Sequence, residues 1–259
     1  GSRAYALFRW LENYIVRRAG QIITSTARYA NVLTDGPESV AATRVTHVPD
    51  CVNTQVFRPL PHDEAWAAYR ARLGVPAGRK VVVYLGLLAE YQGIDLLLRA
   101  ASALCARRND LHFIIAGFPN VEHYQDLASG LGIGEHCSFP GRIPYEDAPA
   151  LLAQGDIAVF PKLSETEGAG KLLNYMAMGL PVVAFDTPAG REYLGELGIY
   201  ARARDADDLA RCIERTVDDP DRAERGLPLR QRAEDCYAWE GSGRLILDAY
   251  LRGMNGSRN

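Results

Sequence analysis

Between residues 80 and 201 the chain alternates short, unbroken apolar runs with longer stretches of helical period. "KVVVYLG" (80–86), "LHFIIAG" (111–117), "IAVFPK" (157–162) and "PVVAFD" (181–186) have no polar alternation, as expected of strands covered on both faces. "CSFPG" (137–141) reads as a shorter strand. Between them, "GIDLLLRAASALCARRN" (93–109) places Ile94, Leu97, Leu98, Ala101, Leu104 and Cys105 on one helical face. "VEHYQDLASGLGI", "YEDAPALLAQG" and "KLLNYMAMG" read as further helices, and "REYLGELGIYA" as a short helix and a last strand. Helices over 205–218, 222–236 and 239–254 finish the chain. Before residue 80 the signals are sparser. Residues 7, 8, 11, 15 and 16 are apolar at helical spacing, "QIITST" and the start of "VTHVPD" read as short strands, and "PHDEAWAAYRARLGVP" is a helix closed by Gly74 and Pro76.

Alternating helices and strands predict a Rossmann-like parallel sheet with helices on both faces. Ligands of such sheets bind beyond the carboxyl ends of the strands. Those ends, "YLG" (84–86), "AGF" (116–118), "PKLSE" (161–165) and "FDTPAG" (185–190), are rich in Gly, Pro, Ser and Thr.

The stretch after the 157–162 strand, "LSETEGAGKLLNYMAMG", carries the sharpest chemistry. A helix starting at residues 169–171 points free N–H groups into the crevice, which suits a phosphate. Gly168 and Gly170 would let the anion approach the backbone, and Lys171 adds a charge. A glycine-rich turn packed for shape alone reads the same way. The segment is not a Walker loop, since Glu165 stands where that motif needs glycine and Leu172 where it needs Ser or Thr. "GLGIGEH" (130–136) follows no strand and is not a dinucleotide fingerprint.

Composition changes this picture little. The 259 residues are 47% hydrophobic and 24% charged, ordinary for a globular chain. A net charge of −3 gives no global field to attract nucleic acid. Five cysteines, an odd number without C-x-x-C spacing, read as reduced and mostly buried thiols of a cytoplasmic protein. The five histidines show no metal-ligand spacing, so no metal site and no cofactor is expected. No apolar run approaches a membrane span. The chain begins "GS" without Met, which reads as a scar or a fragment.

The ordered set "VPDCVNTQVFRP" (48–59), "YLGLLAEYQGIDLLLRA" (84–100), "IIAGFPN" (114–120), "FPGRIPYEDAPALLAQGDIAVFPK" (139–162) and "NYMAMGLPVVAFD" (174–186) resembles the donor-binding half of the family 4 retaining glycosyltransferases. The resemblance implies the C-terminal domain of a GT-B fold, and it covers the chain from about residue 20 onward. It implies a domain map with a remnant of the N-terminal acceptor domain over 1–42, a linker over 43–60, a nucleotide-sugar donor domain over 61–238, and a crossing helix and tail over 239–259. The donor would be a nucleotide-diphosphate sugar and the reaction a retaining hexosyl transfer without metal. The acceptor, a glycan or lipid-linked molecule, would bind through the missing N-terminal domain, and the parent enzyme would be cytoplasmic, with peripheral membrane association open to it. This fragment alone would be inactive.

Carried onto this chain, the resemblance assigns hexose contacts and catalytic roles to Glu167 and Glu165. It assigns donor binding to Gly86, Gly117, Arg142, Lys162, Thr166, Gly168, Ala169, Gly170, Lys171 and Asn174. Asn174 would face the ribose, and the backbone of 117–119 and 141–143 would frame the base. The chain departs from the family pattern at instructive places. Asn174 replaces the second acid of the E-x7-E element, and Thr166 falls at the first. Leu87 and Gln92 stand where a "GR....KG" turn supplies two cations to the diphosphate, so Lys171, with Lys162 or Arg191, is expected to compensate. Cys51 and Asn53 replace the linker's Gly and Asp. Two other readings fit the same fold: a non-catalytic nucleotide-sugar-binding or scaffold protein, and a GT-B-like sugar-nucleotide epimerase or phosphorylase, for which no acid/base set or cofactor lysine is assignable.

Overall fold

The computed structural model describes residues 3–36, 39–164 and 169–256. In chain order these form α1 (Arg3–Arg18), β1 (Ile22–Thr24), α2 (Ala27–Asp35), β2 (Val45–His47), α3 (Glu64–Arg72), β3 (Lys80–Leu87), α4 (Ile94–Cys105), β4 (Leu111–Phe118), α5 (Val121–Gly130) and β5 (Cys137–Ser138). They continue as α6 (Ala148–Leu152), β6 (Ile157–Phe160), α7 (Gly170–Ala177), β7 (Val182–Phe185), α8 (Pro188–Leu194), β8 (Ile199–Ala201), α9 (Ala206–Val217), α10 (Arg222–Tyr237) and α11 (Trp239–Gly256). The expected elements are present at close to the expected boundaries. Helix α2 was not read from sequence, although Tyr29, Val32 and Leu33 recur at helical spacing; it is short and none of its residues is buried. Thr26 is a further local sign, since its side chain accepts from the Tyr29 N–H as an N-cap.

The described residues divide into two compact units, 3–51 with 237–256, and 52–164 with 169–236. The division falls inside 43–60, the stretch read from sequence as a linker.

The smaller unit pairs β1 and β2 in parallel, Ile22 opposite Val45 and Thr24 opposite His47. Arg44 ties the end of α1 to this sheet by donating to the carbonyls of Val16 and Arg17. The outer face of α1 stays in solvent, with Tyr5, Leu7, Phe8 and Trp10 each at least 60% exposed.

The larger unit is built on a six-stranded parallel sheet in the order β5-β4-β3-β6-β7-β8. Counted from β3, this is the 3-2-1-4-5-6 order of the doubly wound nucleotide-binding fold, which reverses direction between β3 and β6. Successive side chains on a strand face opposite ways, and here both sets are buried. Val82, Tyr84, Phe113, Ile115, Ile157 and Val159 share a core with Ile94, Leu98 and Leu104 of α4 and Leu209 and Ile213 of α9. Val81, Val83, Ile114, Ala158 and Phe160 turn to the other face, where α6 meets β3 and α7 meets β7. The cysteines are unpaired, as expected, but Cys51 and Cys236 are exposed and only Cys212 is buried.

At the β4–β5 edge, buried His112 places Nε2 2.7 Å from Ser138 Oγ. That hydroxyl gives its proton to the Leu73 carbonyl, so the ring donates from Nε2. Nδ1 has no partner. Burial, reinforced by Arg79, His136 and Arg70, lowers the His112 pKa to about 4. An unfolded histidine titrates near 6.5, so between those values the unfolded chain binds the proton that the native state refuses. Stability is therefore expected to fall as pH drops from about 6.5 to 4, by on the order of 3 kcal/mol from this group. Urea unfolding at pH 7, 5.5 and 4 measures it. His112→Asn should flatten that dependence; the same dependence in the variant would assign it to other groups.

Candidate functional site

The switch point between β3 and β6 is where the sheet offers a crevice at the carboxyl ends of its strands. On the β3 side the chain leaves the sheet at Gly86 and Leu87 and makes a 3-10 turn over Glu90–Gln92. Gly93 closes that turn and opens α4 with φ 75°. On the β6 side the chain runs through Pro161 and Lys162. Lys162 is 4% exposed at the strand end. Helix α7 then starts at Gly170, as its sequence predicts. Ala169 at the N-cap is buried and offers no side-chain cap to the first turn of the helix. Asn174 lies one turn further in, half-buried.

Lys171 decides the character of the crevice. Its Nζ donates to Gln92 Oε1 at 2.6 Å and to Tyr84 Oη at 2.8 Å. The same nitrogen is 4.7 Å from the Tyr84 ring centroid and 5.8 Å from that of Phe160. Tyr84 and Phe160 belong to opposite faces of the sheet, so the ammonium sits across the ends of the two strands that flank the switch point. Gly86 leaves the room for it: a Cβ there would strike Lys171 Nζ, with Lys171 Cε 2.8 Å away and Tyr84 Oη 3.0 Å away. Burial raises the Tyr84 phenol well above its ordinary pKa and keeps it neutral. Tyr175 locks α7 to the same strand end. Its hydroxyl accepts from Leu85 N–H at 2.9 Å and donates to the Leu85 carbonyl at 3.1 Å.

A second rim lies at the end of β4. Gly117, at φ 150°, comes so close to the Gly86 carbonyl that any Cβ would collide with it. Its N–H donates to the Gly141 carbonyl at 2.8 Å, which brings the two backbone stretches assigned to the base side by side. Arg142 is exposed and lies over the Phe118 ring, 5.0 Å from its centroid.

Of the residues singled out from sequence, Gly86, Gly117, Arg142, Lys162, Ala169, Gly170, Lys171 and Asn174 thus lie at strand ends or on the first turns of α7. Glu165, Thr166, Glu167 and Gly168 lie outside the described residues. Arg191, expected to share in charge compensation, instead pairs with Asp186 at 2.7 Å and covers the Tyr200 ring at 3.8 Å. Tyr84 and Gln92 were not assigned from sequence as contacts of Lys171. Tyr84 looks like any strand residue in "VVVYLG", and Gln92 showed only as a missing cation. Among the described residues no group of three or more His, Cys, Asp or Glu is placed to hold a metal ion. No described helix is long and apolar enough to cross a membrane.

The doubly wound sheet thus places a cation and a helix N-terminus at its switch point, where sheets of this order bind their ligands. Residues 67–233 match the glycosyl transferases group 1 family. The chain is 32% identical over 246 residues to a GDP-mannose-dependent alpha-(1-6)-phosphatidylinositol monomannoside mannosyltransferase of Mycolicibacterium smegmatis, covering 88% of this chain and 62% of that one. It is 27% identical over 220 residues to an alpha-D-kanosaminyltransferase of Streptomyces kanamyceticus, covering 84% of this chain and 56% of the relative. Among solved structures, Anabaena Alr3699/HepE in complex with UDP and glucose superposes with a TM-score of 0.82 at 19% identity, over 93% of this chain and 66% of that one. The chain belongs to the glycosyl transferases group 1 family and has the fold of its GT-B members. It spans 56 to 62% of the length of these two curated relatives.

Proposed function

We propose that this chain is the donor-binding part of a retaining hexosyltransferase and takes a nucleotide-diphosphate sugar. The observation that carries this reading is the ammonium of Lys171, set at the β3–β6 switch point beside the uncapped start of α7. A diphosphate there meets a full charge and the partial positive charge of a helix N-terminus together. As the glycosidic bond to the donor breaks, negative charge builds on the departing nucleoside diphosphate, and groups already pointed at it stabilise that charge. The protein supplies this stabilisation without a metal ion.

The remaining assignments follow the strand ends. Asn174 reaches the ribose, and the joined backbone at 117–119 and 141–143 frames the base, with Arg142 and Phe118 as its exposed edge. Glu165 and Glu167 take hexose hydroxyls, and Thr166 and Gly168 contribute to donor binding. Names of similar proteins support the donor class: one relative is GDP-mannose-dependent, and one structural neighbour was solved with UDP. The acceptor and the complete transfer belong to the parent protein.

Calorimetry against UDP, GDP and ADP and their nucleosides tests the reading. At least one diphosphate should bind, about tenfold or more tightly than its nucleoside, the worth of one charge-assisted hydrogen bond. A chain that binds none of the six is not a donor domain.

A further inference from the structure

We propose that Tyr84 and Gln92 are positioning residues: they hold the Lys171 ammonium at the carboxyl end of β3 so that it meets the donor diphosphate already in place. The inference rests on the donor-binding reading above.

A lysine in the first turn of a helix is out of place electrostatically, since the helix dipole repels a cation there. Its long side chain also loses much rotamer freedom when fixed. Both costs make sense if the site fixes the ammonium deliberately, and the geometry does so with two acceptors. The Tyr84 hydroxyl has one proton, and that proton goes to the Leu87 carbonyl at 2.7 Å. The oxygen's lone pairs are then left to receive Lys171. Tyr84 is thus wired as an acceptor by the turn of chain that follows it. Gln92 presents its amide oxygen from the 3-10 turn, with its side chain 4% exposed.

Tyr84 and Gln92 are neutral, so neither of these two cancels the charge it holds. A carboxylate at either place would hold the ammonium more strongly and neutralise it at the same time. The residues also come from separate parts of the chain. Tyr84 lies within β3, Gln92 in the turn before α4 and Lys171 on α7, while Gly86 keeps the meeting point open. Because Gln92 Oε1 is 2.6 Å from Lys171 Nζ, a cation carried by residue 92 would fill nearly the same position. The charge at this point can therefore be supplied from either element.

Calorimetry with inorganic pyrophosphate, which probes the diphosphate subsite without a base, tests this together with UDP and GDP. Tyr84→Phe should weaken pyrophosphate binding by about three- to tenfold, the worth of one neutral hydrogen bond. Gln92→Glu should weaken it by about tenfold or more, through neutralisation of the ammonium and repulsion of the anion. In a Lys171→Met background, Tyr84→Phe should cost nothing further, because there is no ammonium left to position. The double variant Lys171→Met/Gln92→Lys should bind within about threefold of the parent protein. Thermal unfolding confirms that each variant is folded. If Tyr84→Phe fails to fold, Gln92→Glu and the charge swap decide the matter. Loss from Lys171→Met with no loss from Tyr84→Phe or Gln92→Glu would overturn the positioning role and leave the donor reading standing. An equal loss from Tyr84→Phe with and without Lys171 would show that the tyrosine only supports the fold. An unsubstituted chain that binds neither pyrophosphate nor any nucleoside diphosphate would overturn the donor reading itself.

Discussion

Lys171→Met is expected to weaken nucleoside diphosphate binding by about ten- to a hundredfold, from a charge-assisted hydrogen bond worth roughly 1.5–3 kcal/mol. Binding of the bare nucleoside should change far less. The Lys171 ammonium reaches from α7 to β3 and is held by Gln92 and Tyr84 at hydrogen-bond distance. Methionine has similar length and is apolar, so the substitution removes the charge and keeps a side chain of like size beside the Tyr84 and Phe160 rings. The expected signature is a selective loss. Calorimetry on matched nucleoside and nucleoside diphosphate reads it directly. Equal loss for both ligands would mean that the side chain shapes the crevice without serving the phosphates, and no loss for either would place the phosphates elsewhere.

Gly93→Val should have a large effect on stability. Gly93 joins the 3-10 turn to α4 at φ 75°, a backbone conformation that a β-branched residue adopts only under strain. A Cβ at this position would also run into the carbonyl oxygen of Pro161, at the end of β6. Strain of roughly 1–3 kcal/mol adds to overpacking of roughly 1–3 kcal/mol, against a total stability of about 5–15 kcal/mol. A fall in Tm of about 10 °C or more is expected, with loss of ligand binding because Gln92 precedes the strained residue. Gly130→Ala serves as the control. Nothing lies within 4 Å of its Cβ position at the end of α5, so the change should be neutral or slightly stabilising. Differential scanning calorimetry of both variants compares them. A Gly93 variant as stable as the Gly130 one would show that the β6 end yields to the side chain.

The contrast between these two glycines also shows how far sequence reading reaches. In the sequence both glycines belong to segments read as helices, "GIDLLLRAASALCARRN" and "VEHYQDLASGLGI". Only the packed structure distinguishes them, because only there does Pro161, 68 positions away, arrive beside Gly93.

Much of the architecture was nonetheless determined by local pattern. Continuous apolar runs such as "KVVVYLG" and "LHFIIAG" became strands buried on both faces, because a strand with two covered faces has few positions for a polar residue. The 3.6-residue period of 94–105 became α4 for the same kind of reason. The start of α7 was legible at Gly170, where the glycine-rich segment gives way to helix formers. Helix α2 escaped because its apolar positions, Tyr29, Val32 and Leu33, span little more than one turn, too short a run to stand out as a period.

What only the tertiary structure decided is which distant residues meet. The sheet order turns back between β3 and β6, and that reversal brings the end of β3 and the start of α7 to one crevice. Sequence alone placed Lys171 in the first turn of α7 and marked Gln92 as an absent charge. It could not show that the two touch, 79 residues apart, or that Tyr84 completes the cradle. Periodicity is a property of neighbours along the chain, set by which face of an element is covered. The reach of a lysine side chain across two strand ends depends instead on how the elements pack, and no local pattern encodes that distance.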